Sequence, residues 1–387
     1  MKQAKWVVVA SFVFLGLIAT TSIIEKSSAV SVNEIMLEIG QTMEELFPTL
    51  FDEKTMEQPA GQKNLHDAVK KLDALFNEAR PHFDIKSPTY RISFDVIHAQ
   101  LTGAMVAMKY DNYRHATNIV KEFVSICSSC HMQDSKLRTL FGDVSRKQFR
   151  SDIQFAEFNY MTRNYDTAIS YYKKHLESAK ELSEIELMTI MKRILTVNTQ
   201  VYNRPQDAIK ELGKLKDYPG HTKFSKKNLE EWLAGLKELE KQQLSKITNP
   251  DFEQLKAYVN NILGPLDDPG TADFPSKKEK VARVWLRGRL YHYLNTLPPR
   301  EEIPVILYWL SIVDRSIDYS FYYSLADMYL KECMLQYTSH PYAQKCYDEY
   351  EAYITFSYSG SRGTDIPDDI ADELKALKVR VYSAPKQ

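Results

Sequence analysis

Five consecutive residues, Cys127-Ser128-Ser129-Cys130-His131, place two thiols three positions apart with an imidazole directly after the second. This is the spacing by which both vinyl groups of one haem are joined to thiols as thioethers, while the adjacent histidine binds the iron from the proximal side. On a helix, Cys127, Cys130 and His131 project from nearly one face, so a single flat macrocycle meets all three. Three other readings compete: a thioredoxin-like redox pair, half of a zinc site, or a chance pentapeptide with a structural disulfide. A redox dithiol requires a βαβ context, which this sequence lacks. The remaining cysteines, Cys333 and Cys346, are too distant and too widely spaced to complete a zinc site.

The segment leading into the motif carries Ala116, Ile119, Val120, Phe123, Val124 and Ile126 at helical apolar spacing, which predicts the motif at the C-terminal end of an amphipathic helix. Helices are expected at about 32–51, 61–83, 90–110 and 113–133. Pro48 and Pro59 bracket the first break, Pro81 and Pro88 the second, and Asp111-Asn112 marks a tight third. Connections this short force neighbouring helices antiparallel, giving an up-down-up-down bundle.

With the motif late in the fourth helix, residues 32 to 135 resemble the cytochrome c-prime family of four-helix bundles. In that family the first helix faces the distal side of the haem, and low-spin members supply a methionine near its start. Here Ile35-Met36-Leu37-Glu38-Ile39-Gly40 occupies that stretch. The resemblance implies Met36 as second axial ligand to His131 and a six-coordinate iron suited to electron transfer. The competing reading of Met36 is packing, since Ile35, Ile39, Met43 and Leu46 share helical spacing and methionine is a common core filler. Met43 is the alternative ligand two turns on, while Met105, Met108 and His98 read as interior residues. Without a methionine on the iron, the site is five-coordinate and open to NO or CO. The family often sets a basic side chain near the haem propionates, and Arg80, Arg91 and Lys121 all remain open for that place.

From about residue 146 the pattern becomes helix pairs. Residues 165–174 resemble the second helix of a tetratricopeptide repeat, with Ala156, Tyr165, Ala168 and Tyr172 at its packing positions. Arg163 replaces the usual turn glycine, and His175 replaces a later alanine. A second unit ends with Asp207-Ala208-Ile209. Further pairs are expected at about 280–315 and 321–356, with Ala326, Tyr329, Ala343 and Tyr350 at repeat-like spacing. Stacked units of this kind form a curved array whose concave surface docks a peptide or protein, or else simply make a second domain. Cys333 and Cys346 flank the turn Ser339-His340-Pro341, so in an oxidising compartment a disulfide stapling one helical hairpin is expected.

At 387 residues the chain is long enough for two cores, and a formal net charge of -1 gives no field for nucleic acid or an anionic membrane. Thirteen glycines and 16 prolines, without even turn spacing, exclude a β-sandwich and leave an all-α class. Lys2 and Lys5 precede an apolar run from Trp6 to about Ile18, and Ser27-Ser28-Ala29 offers a cleavage site, so residues 1–29 read as a signal peptide or, left uncut, a single membrane anchor. The expected division is 30–140 for a haem-binding bundle and 146–387 for an α-solenoid of repeat-like pairs. Residues 265–270 and 357–367 are expected as loops, and the cluster Lys210, Lys214, Lys216, Lys223, Lys226 and Lys227 as a solvated face. No phosphate loop, metalloprotease His-Glu pair or activated nucleophile occurs. The sequence therefore points to an exported, periplasmic monohaem cytochrome that carries single electrons and turns over no substrate, its repeats docking a redox partner protein. A five-coordinate gas sensor and a scaffold with a structural haem are the alternatives.

Overall fold

The computed structural model describes residues 31–50, 53–82, 88–131, 144–179, 182–264, 266, 274–317, 325–361 and 363–385. The N-terminal apolar run and most of the expected loop at 265–270 lie outside the described residues. The described chain is mostly helical, and none of its helices is long and apolar enough to cross a membrane.

Helix α1 (Val32–Leu50) begins at Ser31, whose Oγ accepts the Glu34 N–H at 3.3 Å while the Glu34 carboxylate accepts the Ser31 N–H at 2.8 Å. This reciprocal cap answers two amides that a helix start leaves open. One stripe, Ile35, Ile39, Met43, Leu46, Phe47 and Leu50, is buried. The helix runs through Pro48 to Leu50, so the first break starts later than the proline suggested. A proline in the last turn forfeits a single hydrogen bond there, and Phe47 and Leu50 anchor that turn in the core.

The short helix α2 (Glu53–Met56) fills the break before α3 (Pro59–Ala79), which has proline in its first turn. Gly61 permits that junction, because a Cβ there would lie 2.1 Å from the Thr55 carbonyl oxygen. Helices α4 (Pro88–Lys109) and α5 (Tyr113–His131) follow, joined through Asp111 at φ 56°. The Asn112 side-chain oxygen accepts the His115 N–H at 3.2 Å and so caps α5.

Cross-contacts fix the directions. Glu38 pairs with Lys71 at 3.0 Å, Asp73 with His98 at 3.6 Å, Phe76 stacks edge-on against Phe94, and Gly103 faces Ile119. On α3 and α4 higher numbers meet lower ones, and the short connections before α3 and α5 impose the same reversal, so α1, α3, α4 and α5 alternate up and down.

The rest of the described chain is α6 (Asp152–Met161), α7 (Tyr165–Ser178), α8 (Glu184–Thr196), α9 (Pro205–Gly213), α10 (Lys223–Lys241), α11 (Phe252–Leu263), α12 (Lys277–Asn295), α13 (Ile303–Ser316), α14 (Ala326–Gln336), α15 (Pro341–Ser357) and α16 (Asp368–Tyr382). Capping boxes at Ser183/Glu186, Asp251/Gln254 and Ser276/Glu279 start α8, α11 and α12, each contributing about 1 kcal/mol. Among the described residues four connections of these helices hold a non-glycine residue in the left-handed region: Arg163 between α6 and α7, Asn203 before α9, Gln243 between α10 and α11, and Leu297 between α12 and α13.

The π-helical segment Val197–Val201 extends α8. It is held by Arg289, which donates to the Gln200 carbonyl at 3.1 Å, and by Gly288, where a Cβ would meet that same carbonyl at 2.4 Å. Cys333 of α14 is disulfide-bonded to Cys346 of α15, with the Cα atoms 6.4 Å apart. Between α15 and α16 the sequence-expected loop contains a two-stranded antiparallel pairing, Ser359–Gly360 with Gly363–Thr364.

Contacts between side chains join the first helices to the later ones. Phe47 of α1 packs edge-on against Phe158 of α6 at 4.7 Å, and Arg91 of α4 pairs with Glu332 of α14.

Candidate functional site

Cys127, Ser128, Ser129, Cys130 and His131 are the last five residues of α5. The apolar stripe Ala116, Val120 and Ile126 buries the preceding turns against the core, so the motif is carried at the C-terminal end of an anchored helix. The side-chain contacts of the motif lie outside the described residues.

Register along the helices shows what shares that end. His131 lies twelve residues beyond Ile119 on α5, and Arg91 twelve residues before Gly103 on α4, so equal rise per residue sets His131 level with Arg91 and Cys127 with Asp95. On the other side, Met36 precedes Glu38 by the two residues that separate Asp73 from Lys71, which sets Met36 level with Asp73 and, through the Asp73–His98 contact, with His98. The level of His98 on α5 is Val124, about 4.5 Å along the axis from Cys127.

Met36 is half-buried against the core at the motif's own end. Met43, fully buried, lies about two turns further away; Met105 shares its level, and Met108 lies a further turn toward the opposite end. His98 shares the level of Met36 but is half-exposed and turned to Asp73. Of these sequence candidates, the fold brings Met36 to the motif's end and keeps Met43, Met105 and Met108 away from it.

The basic candidates divide in the same way. Arg80, directly after α3, pairs with Asp95 at 3.3 Å, and Arg91 pairs with Glu332; both stand at the motif's end. Lys121 is ten residues short of His131 and belongs to a lower layer. Burial pushes the Glu332 carboxyl above its ordinary range, and the Arg91 guanidinium opposes that push. A crevice of about 520 Å³ separates α4 from α14 at this level, lined by Arg80, Arg91, Phe94, Met328 and Lys331 among others.

One residue here escaped the sequence reading. Gln100 is 6% exposed, and neither atom of its amide finds a hydrogen-bond partner. It stands in the buried stripe Ser93, Ile97, Gln100, Ala104 and Ala107 of α4, two residues from the level of Met36. A long polar amide inside a stripe of small and apolar residues was the available signal. An orphaned amide of this kind costs about 1–3 kcal/mol unless something absent from the fold satisfies it. A terminal thiol-thiol-imidazole run, a half-buried thioether at the same end and an unsatisfied amide nearby fit a haem group. Among the described residues no cluster of three or more His, Cys, Asp and Glu side chains could hold a bare metal ion.

No family profile, curated protein or solved structure matches this chain.

Proposed function

We propose that this chain is an exported, periplasmic monohaem c-type cytochrome that carries single electrons, with residues 30–140 forming the haem-binding bundle and the tetratricopeptide-like pairs from 146 onward docking a redox partner protein. The observation that carries the reading is the placement of Cys127-Ser-Ser-Cys130-His131 as the closing turn of an anchored amphipathic helix whose antiparallel neighbours bring Met36 to the same end. Cys127 and Cys130 would hold the group covalently, His131 would take the proximal side of the iron and Met36 the distal side. When bound, haem c supplies a one-electron iron couple at that end of the bundle. The protein's part is to fix the ligands, exclude water through the α1 and α4 stripes, and leave an edge within reach of a partner. Arg91 and Glu332 tie the array to the motif's layer, so a partner held by the array is held beside that edge.

The test is the visible spectrum of the full chain expressed with a haem-maturation system, oxidised and reduced, before and after CO. Covalent low-spin haem that ignores CO supports the reading, and Met36→Ala then yields a CO-binding form. Absence of covalent haem in the wild-type chain sinks it, and Cys127→Ala with Cys130→Ala is the matching control. One observation favours a second reading. The free amide of Gln100 is a ready hydrogen-bond donor for a small ligand on five-coordinate iron, so a high-spin spectrum that shifts with CO, with affinity reduced by Gln100→Leu, identifies a gas-binding protein.

A further inference from the structure

Helix α14 presents two faces. Tyr329, Leu330, Cys333 and Met334 are buried in the array. The neighbouring stripe Met328, Lys331, Glu332 and Leu335 recurs every three to four residues, and across the crevice of about 520 Å³ it meets Arg91, Ile92, Phe94 and Asp95 of α4. Ile92 and Phe94 are buried and give the crevice an apolar floor, while Met328 and Leu335 are half-buried on the opposite wall. The charges around it do not balance. The Arg91 Nε donates to Glu332 at 2.9 Å, Arg80 pairs with Asp95 at 3.3 Å with both side chains more than half exposed, and Lys331 turns to Glu373 of α16 at 2.6 Å. Two more cations gather at the closing turn of α14, where Arg300 donates to the Gln336 carbonyl at 3.1 Å and Arg380 to the Leu335 carbonyl at 2.9 Å. Gln336 and Leu335 both line the crevice, and among the described residues no carboxylate lies within ion-pair distance of either guanidinium. A guanidinium carries five donors and each carbonyl takes one, so most of both forks is left for another acceptor.

We propose that this crevice binds an amphiphilic anion, its apolar tail lying between α4 and α14 and its acidic head held at the Leu335 end by Arg300 and Arg380. The volume is that of a small-ligand site, and such sites combine apolar walls with a few convergent polar groups. A tail covering Met328 and Leu335 completes their burial, at about a fourfold gain in affinity for each methylene taken fully out of water. Methionine adapts its shape to a chain of that kind. The head answers the two arginines through charge-assisted hydrogen bonds, and a carboxylate or a phosphate monoester presents the paired oxygens that a guanidinium fork matches. A cation finds no place here, because Asp95 and Glu332 are already taken by Arg80 and Arg91. Neither Met36 nor any residue of Cys127–His131 takes part, so the site does not rest on the haem reading.

The experiment is titration calorimetry on the full-length chain, expressed with the haem-maturation system, using octanoate, octyl phosphate, octanol and acetate. Octanoate or octyl phosphate binds, octanol binds about fivefold to tenfold more weakly for want of a charged head, and acetate, without a tail, shows no measurable binding. The tighter of the two amphiphiles assigns the head as carboxylate or phosphate. Replacing both exposed arginines, Arg300→Gln with Arg380→Gln, weakens binding of the preferred anion about fivefold to tenfold and leaves octanol unchanged. Met328→Trp fills the crevice and abolishes binding of anion and alcohol alike. If Met328→Trp does not fold, the arginine pair decides alone. Failure of both amphiphilic anions to bind, octanol or acetate binding as tightly as the anion, or affinity unchanged in the arginine pair overturns the proposal. A chain that carries no covalent haem in its visible spectrum yet binds in the expected pattern fails the haem reading and keeps this one.

Discussion

Helices α1–α5 and α6–α16 bury different chemistry. Among the described residues the interior of the first group is aliphatic and aromatic, its few buried polar groups being Thr42, Ser93, Gln100 and Thr117, while its ion pairs Glu38–Lys71 and Arg80–Asp95 lie in solvent. The later helices bury several charges in pairs, Arg287 with Asp314 and Arg315 with Glu349, and wire turns together through side chains. Asn203 is the clearest case: it donates to the carbonyls of Ser245 and Ile247 and accepts the Trp285 indole N–H at 2.8 Å. An apolar interior tolerates changes of shape and can admit a flat apolar group at one end. Buried polar pairs are costly to break, so they fix relative helix positions.

Asp314→Asn leaves the buried Arg287 without its counter-charge and removes the carboxylate oxygen that accepts the Leu325 N–H at 2.9 Å, so a loss of about 3–5 kcal/mol is expected in urea unfolding. Lys71→Gln, which breaks a pair with both partners about half-exposed, should cost under about 1 kcal/mol. Equal losses from the two substitutions would end the distinction drawn between the regions.

A smaller effect separates them by pH. Burial raises the Asp152 carboxyl, but Arg146 at 2.5 Å and Lys174 at 3.2 Å more than reverse this and hold it below the ordinary carboxylate range. A carboxyl depressed in the folded state contributes stability that is fully present above its unfolded pKa and is lost as pH falls through the folded value. Asp152→Asn should therefore lower stability by about 1 kcal/mol at neutral pH, and the gap from wild type should close in acid below the normal carboxylate range. Melting curves of the two proteins across pH read this directly, and a gap that is constant with pH would mean that packing, not charge, holds the start of α6.

Local patterns carried much of this in the sequence. The spacing of Ile35, Ile39, Met43 and Leu46 gave the buried face of α1, and short breaks implied the alternation that sets the start of α1 toward the C-terminal end of α5. What escaped was long-range. Arg91 and Glu332 are 241 residues apart and nothing local links them, so the docking of α14 against the motif's layer was invisible. The π segment at Val197–Val201 was equally hidden, since its stabilising partners Gly288 and Arg289 sit on α12. Gln100 was visible as a polar residue among apolar ones, but its lack of a partner is a property of the packed interior.

The hairpin tips sharpen the contrast within the later helices themselves. Arg163, Asn203 and Leu297 all hold the left-handed conformation, which costs an L-residue roughly 1–2 kcal/mol that glycine avoids. At Asn203 the side chain does something a glycine could not: it bridges two carbonyls and an indole. Leu297 is 61% exposed at the tip between α12 and α13 and has no such task. Leu297→Gly should therefore stabilise the protein by about 1 kcal/mol after glycine's greater loss of chain freedom is subtracted, read as a higher urea midpoint at unchanged slope. Asn203→Gly, although it relieves the same backbone cost, should shift the midpoint down, because three hydrogen bonds go with the side chain. If both substitutions stabilise, backbone conformation governs these tips and the polar wiring around Asn203 contributes little to holding the array together.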